Sequence, residues 1–173
     1  MSGRAPDGTG EPADAFVSLG SNLGDRDAHL RLALAALAST PGVEVVAVSS
    51  WYETDPVGPG PQGPYLNAAA RLRTTLGPRA LLERLLQIEA ATGRTRGPER
   101  NAPRTLDLDL LLHGERRIEE PGLDVPHPRL HQRAFVLEPL AEIAGSRVHP
   151  RLGVTIAVLA ARVRDPAAVR RIA

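Results

Sequence analysis

The chain has 173 residues, 21 basic and 20 acidic side chains, and a formal net charge of +1. That length suits one domain with its own core, and the charge balance argues against a dedicated nucleic-acid or membrane-surface protein. There is no cysteine, and all 21 basic residues are arginine. This excludes disulfide scaffolds, thiol nucleophiles, zinc ribbons, Schiff-base chemistry and any nucleotide site built around a phosphate-loop lysine.

Residues 1–14 are rich in Gly, Pro and acid and have no apolar stretch, so they read as a disordered tail and not as a signal peptide. Residues 15–173 read as one domain. Ala15 to Gly20 is a short apolar strand ending in the turn Ser21-Asn22-Leu23-Gly24. Asp25 caps a predicted helix whose Leu30, Ala33, Leu34 and Leu37 share one face; Pro41-Gly42 ends it. Val43 to Thr54 reads as one long strand. In Pro56–Pro64, seven of nine residues are Pro or Gly, which makes a loop. Tyr65 to Leu76 alternates as the return strand. Gly77-Pro78 opens a second helix with a stripe of Leu81, Leu82, Leu85 and Ile88, and Gly93 is its expected stop. A polar, basic stretch, Arg94 to Arg104, precedes a strand over Leu106–His113. After a turn, Arg133–Ile143 and Thr155–Val163 read as helices. The order predicts an α+β protein of the βαββαβ, ferredoxin-like sandwich type, with extra C-terminal helices. The longest apolar run, Leu32–Ala38, is too short to span a bilayer. A cytoplasmic monomer is the expectation.

The sharpest chemical signal is Arg104-Thr105-Leu106-Asp107-Leu108-Asp109-Leu110-Leu111-Leu112. On a strand, Leu106, Leu108, Leu110 and Leu112 point to one face. Asp107 and Asp109 point to the other, with Cα atoms about 6.6 Å apart. Solvated acids on an edge strand are the plain reading. The alternative is a site for hard divalent cations, since Mg²⁺ binds through one or two carboxylates plus substrate phosphates. Arg94, Arg96, Arg100 and Arg104 lie just upstream, opposed only by Glu99. Planar guanidiniums beside such carboxylates fit a polyphosphate. His127 is held between Pro126 and Pro128, stiffly enough to be aimed at a ligand; His29, His113, His131 and His149 read as surface or capping residues. The turn Gly20–Asp25 could cradle an anion at a helix start, a weak signal by itself. Tyr65 and Phe135, two of five aromatics, can sandwich a flat heterocycle, with Asn67 donating and accepting at its edge, unless both rings belong to the core.

Together these segments resemble the 6-hydroxymethyl-7,8-dihydropterin pyrophosphokinases of folate biosynthesis. The resemblance runs from Phe16 to about Ile143. It includes Ser18–Asp25 (SLGSNLGD), Ser49–Gly58 (SSWYETDPVG), Tyr65–Ala69 (YLNAA), Arg100–Leu111 (RNAPRTLDLDLL), Val125–Pro128 (VPHP) and Arg133–Leu140 (RAFVLEPL). It implies transfer of pyrophosphate from ATP to the pterin hydroxymethyl oxygen, with release of AMP. By position, Asp107 and Asp109 would bind two Mg²⁺ ions, and Arg94 and Arg104 would act with them in catalysis. Glu89, Arg94, Arg96, Arg104, Leu110, His127 and Arg133 would serve ATP. Tyr65 and Phe135 would stack on the two pterin faces. Asn67 would bind the pterin edge, helped by Thr54 and the backbone of Asp55 and Val57, and Asn22 would shape the first loop. Two positions depart from some family members: Asn101 replaces an aromatic residue, and Pro128 replaces a tyrosine near the nucleotide. The loops at Pro56–Pro64 and Arg94–Arg104 are expected to close over the nucleotide and exclude water.

Three other readings compete. A non-enzymic RNA-binding βαββαβ module would stack bases on aromatics of its central strands, but the carboxylate-bearing strand has none. A kinase with the same metal site would move only the terminal phosphoryl group and make ADP. A degenerate scaffold would show a damaged site.

Overall fold

The computed structural model describes residues 10–56, 62–92 and 105–172. Strand β1 (Ala13–Ser21) lies between β5 (Asp107–His113) and β4 (Tyr65–Thr74), antiparallel to both. Beyond β4 lie β2 (Val43–Val48) and β3 (Tyr52–Thr54), and β3 in turn pairs with β8 (Val169–Arg171). A separate hairpin joins β6 (Ile118–Glu120) to β7 (Leu123–Val125). The helices are α1 (Arg26–Ala38), α2 (Pro78–Ala91), α3 (Ala134–Ala144) and α4 (Ile156–Val163).

The sheet is covered on both faces. Leu30, Ala33 and Leu37 of α1, and Leu81, Leu85 and Ile88 of α2, form a core with Val17 and Leu19 of β1, Leu66, Ala68, Ala70 and Leu72 of β4, and Leu106, Leu108 and Leu110. Val136, Leu137 and Leu140 of α3, with Ile156 and Leu159 of α4, form a second core over Phe16, Ala69, Leu111 and Leu112. Each fully buried leucine contributes about 2 kcal/mol. The helix starts follow their caps: the Asp25 side chain accepts from the Ala28 amide, Pro78 occupies the first turn of α2, and Thr155 Oγ1 accepts from the Val158 amide.

Several expectations need correction. The first strand starts at Ala13, so Asp14, assigned above to the tail, belongs to the sheet. The long strand Val43–Thr54 is two strands. Ser49 interrupts it: its hydroxyl, in place of a backbone carbonyl, accepts the Ala69 amide, and its amide donates to the Ala69 carbonyl. The return strand stops at Thr74, not Leu76. Leu112 does not join Leu108 and Leu110 on their face. Phe16 faces Leu112 while Val17 faces Leu110, so Leu111 is the extra residue of a bulge, and both Leu111 and Leu112 enter the second core. Strands β6, β7 and β8 were not expected; three-residue strands carry too little alternation to be read from sequence. The described residues contain no helix long and apolar enough to cross a membrane.

Candidate active site

Register builds the floor of the site. Asp107 faces Gly20, Gly20 faces Asn67, and Asn67 faces Tyr52, so one rung crosses four strands. Residues directly opposite in antiparallel strands share a face. Asp107, Gly20, Asn67 and Tyr52 therefore lie on the face that carries α3 and α4. One rung further in, Asp109 faces Ser18 and Ser18 faces Ala69. The helices of the second core cover the Phe16–Ala69–Leu111 end of this face. Strands lie about 4.8 Å apart, so the Asp107 and Asn67 backbones are about 10 Å apart, with a glycine between them.

That glycine is a requirement of space. A Cβ on Gly20 would lie 2.7 Å from Asn67 Oδ1 and 3.6 Å from Tyr65 Cδ1. Asn67 is buried and its Nδ2 donates to Thr54 Oγ1 at 2.6 Å, which orients the amide. Tyr65 is half-buried at the start of β4. Phe135 lies in the first turn of α3, partly packed on the second core, with the Arg133 guanidinium 5.5 Å from its ring centroid. Pro139, inside α3, has no N–H for the Phe135 carbonyl. Asn22 donates from Nδ2 to Gln62 Oε1 at 3.1 Å and to the Gly63 carbonyl at 3.4 Å. This ties the first turn to the residues that enter β4. Asp55 is exposed, and its amide donates to the Ala168 carbonyl.

At the other end of the rung, Asp107 and Asp109 are half-buried on β5. The amide of Leu108, between them, donates to Glu89 Oε2 at 3.0 Å; Glu89 itself is buried near the end of α2. Leu110 is buried in the first core, so its side chain lies beneath the carboxylate face. The His127 amide donates to the Leu111 carbonyl at 2.9 Å, which lays the histidine against β5. Its Nδ1 accepts the Arg129 amide at 3.1 Å, so the neutral ring carries its proton on Nε2. Burial, then Arg133 and Arg129, push the ring down to about 4, against the opposing pull of Asp107 and Asp124. The imidazole is thus an uncharged N–H donor at neutral pH, near both Arg133 and Asp107. Pro128 is exposed beside it.

The two carboxylates suit Mg²⁺. Their hard oxygens share one face of a strand whose intervening amide is anchored. Among the described residues no group of three or more His, Asp or Glu forms a complete ion cage. Two carboxylates are the usual protein share for this ion, with phosphate oxygens and water as the remaining ligands.

Asp107, Asp109, Asn67, Thr54, Tyr65, His127 and Arg133 are thus gathered on, or beside, one face. Val57, Arg94, Arg96, Asn101 and Arg104 lie outside the described residues. His29, His113 and His149 have structural partners: Ser21 Oγ, the Leu76 carbonyl, and the Arg151 and Leu152 amides. The close approach at Gly20 escaped the sequence reading, which took that glycine as part of a turn. Arg26 also escaped it: Nη1 donates to the Pro64 carbonyl at 2.9 Å, and Nη2 lies 3.3 Å from Glu53 Oε2. Nothing local marks either residue; both depend on strands that meet only in the fold.

Residues 16–145 match the family model of 7,8-dihydro-6-hydroxymethylpterin-pyrophosphokinase. The chain is 53% identical over 129 residues to the 2-amino-4-hydroxy-6-hydroxymethyldihydropteridine pyrophosphokinase of Bacillus subtilis, covering 75% of this chain and 77% of the relative. It is 44% identical over 158 residues to the enzyme of the same name from Methylorubrum extorquens, covering 91% and 98%. The crystal structure of a Plasmodium falciparum HPPK-DHPS triple mutant shares the fold, with a TM-score of 0.71 at 13% identity. The overlap is 90% of this chain and 44% of that one. The match over most of the chain, with these identities, defines the class: an ATP-dependent diphosphokinase, a transferase of folate biosynthesis. The chain belongs to the 7,8-dihydro-6-hydroxymethylpterin-pyrophosphokinase family.

Proposed function

We propose that the rung Asp107–Gly20–Asn67 is where the pyrophosphate of ATP passes to the hydroxymethyl oxygen of 6-hydroxymethyl-7,8-dihydropterin, with AMP leaving. The observation that carries this reading is the register itself. It sets a carboxylate pair and an oriented, buried asparagine on one face of the sheet, with a glycine making room between them. Asn67, with both a donor and an acceptor, addresses the polar edge of the pterin, supported by Thr54 and the backbone of Asp55 and Val57. Tyr65 and Phe135 hold its two faces. Asn22 braces the loop that enters β4. The triphosphate extends toward Asp107, Asp109 and His127. The His127 Nε2–H donates to a phosphate oxygen without adding charge. Arg94, Arg96, Arg104 and Arg133 neutralise the rest, with Arg94 and Arg104 acting in catalysis. Glu89 supports this end by holding β5 through the Leu108 amide, and Leu110 forms its base.

Two Mg²⁺ ions held by Asp107 and Asp109 would neutralise phosphate charge and orient the reacting oxygens. The chain's own residues supply alignment. Holding an alcohol and a β-phosphorus in line turns a two-molecule encounter into a one-molecule step, and no side chain need be covalently modified. We also read the strand order β5–β1–β4–β2/β3, with α1 and α2 on one face, as the ferredoxin-like arrangement, extended by α3, α4 and β8.

The test is turnover with ATP, Mg²⁺ and 6-hydroxymethyl-7,8-dihydropterin, with the nucleotides resolved by chromatography. AMP should form only when the pterin is present. The Asp107→Ala, Asp109→Ala double variant should lose that activity by at least about a thousandfold while remaining folded. ADP as the product would overturn the reaction proposed, and AMP release undiminished in the variant would overturn the site.

A further inference from the structure

We propose that β8 is a positioning element for the pterin end of the site, with Arg170 as its positioning residue; this rests on the reading that Thr54 and Asp55 serve the pterin. The family match ends at residue 145, so β8 lies beyond the matched segment. It pairs with the outer edge of β3, setting Arg171 opposite Tyr52, Arg170 opposite Glu53 and Val169 opposite Thr54. The pairing continues past both ends: the Asp55 amide donates to the Ala168 carbonyl at 3.0 Å, and the Ile172 amide donates to the Trp51 carbonyl at 2.9 Å. Five consecutive residues, Trp51 to Asp55, are thereby held along one edge. Hydrogen-bonded and open pairs alternate along an antiparallel ladder, so Glu53 and Arg170 form the hydrogen-bonded pair between these two outer ones.

Side chains extend the brace. Arg170 Nη2 lies 3.2 Å from Asp55 Oδ1 and 3.8 Å from Glu53 Oε1. The other oxygen of Glu53 meets Arg26, which donates to the Pro64 carbonyl. A continuous series, Asp55–Arg170–Glu53–Arg26–Pro64, thus links the residue leaving β3 to the residue entering β4. Both flank the pterin-binding groups: Thr54 is next to Asp55 and bonds Asn67, and Tyr65 follows Pro64. A three-residue strand has few hydrogen bonds of its own, and an unpaired edge lets register wander. The second pairing on β3 therefore sets where the Thr54 hydroxyl and the Asp55 backbone stand. The ATP carboxylates, on β5, stand at the opposite edge of the sheet from β8.

The experiment uses the whole chain with Arg170→Ala, Arg170→Lys and Arg170→Pro. Steady-state kinetics would be measured separately for pterin and ATP, with hydrogen exchange of the Tyr52–Asp55 amides read in the ligand-free proteins. Arg170→Ala removes the ion pairs and should raise the pterin KM about two- to fivefold. Arg170→Lys should recover most of that loss. Arg170→Pro also removes the strand N–H and should raise it about tenfold or more, with faster exchange at Glu53 and Asp55, whose amides face β8. ATP KM should stay constant in all three. An unchanged pterin KM in an active protein, or equal rises for both substrates, would overturn the proposal, as would lysine behaving like alanine. Should Arg170→Pro not fold, the alanine and lysine variants decide alone. A wild-type protein that forms no AMP would instead refute the underlying reading, whereas active wild type with insensitive variants refutes only the role of β8.

Discussion

A methyl group at Gly20 would meet Asn67 Oδ1 at 2.7 Å. The amide cannot simply rotate aside, because its nitrogen is committed to Thr54 Oγ1 at 2.6 Å. Gly20→Ala should therefore displace Asn67 and lower kcat/KM for the pterin by about ten- to a hundredfold. Melting temperature should fall by only a few degrees, since the strand pairing survives. Steady-state kinetics alongside a thermal melt would check this. Normal kinetics would show that Asn67 has somewhere else to go. His127→Ala belongs to the same scale: loss of one neutral donor should weaken ATP by about 1 kcal/mol, read as a rise of about fivefold in the ATP KM. Asp107 and Asp109 were legible in the sequence, because alternation alone sets them on one face. The role of Gly20 was not, since the atom it makes room for belongs to a strand more than forty residues away.

Helix α3 is fastened to the sheet by its apolar stripe and also by Glu142. Oε2 accepts from the Tyr52 hydroxyl at 2.7 Å, and Oε1 accepts from both the amide and the hydroxyl of Ser50. Burial would raise the Glu142 pKa, but the hydrogen bonds from Tyr52 and Ser50, with Arg171 nearby, carry it below its ordinary value. The Tyr52 hydroxyl is pushed up by burial first and by Glu142 second. The same helix carries Phe135 in its first turn, so this fastening sets where the aromatic ring stands over the sheet. Tyr52→Phe should cost about 1 kcal/mol in urea-induced unfolding. Glu142→Gln should cost about as much or more, because one amide oxygen replaces a charged acceptor of three hydrogen bonds. Equal stability of wild type and both variants would mean that the stripe alone seats α3. The stripe was readable from apolar periodicity. The Glu142 bonds were not, because they join residues about ninety positions apart.

At the level of the whole molecule, Asp14 gathers distant parts of the chain. Its carboxylate meets Arg71 at 3.1 Å and Arg73 at 3.5 Å, both from β4, and Arg147, beyond α3, at 3.0 Å. Burial opposes ionisation, but the hydrogen bond and charge of Arg71, then Arg147 and Arg73, outweigh it and hold the group below the usual carboxylate range. A lowered folded pKa gives stability that is complete above the unfolded value near 3.9 and is lost as pH falls through the folded value. Asp14→Asn should lower stability by about 1 kcal/mol at pH 7, allowing for screening by water. Its stability curve below about pH 4 should be flatter than that of wild type, as followed by chemical denaturation across pH. Parallel curves would show that Asp14 titrates alike folded and unfolded.

What the sequence by itself determined was local: the two helices with their caps and stripes, the carboxylate face of β5, the Pro-flanked histidine, and the motifs that tie the chain to its family. Each is written in residues close enough together to act on one another before folding. The tertiary structure decided the rest. The bulge at Leu111 turns Leu112 into the second core, Ser49 divides one expected strand into two, Gly20 stands between Asp107 and Asn67, and β8 closes the edge of β3. All four depend on strand register, and register is set by which apolar faces are buried together. No stretch of neighbouring residues contains that information.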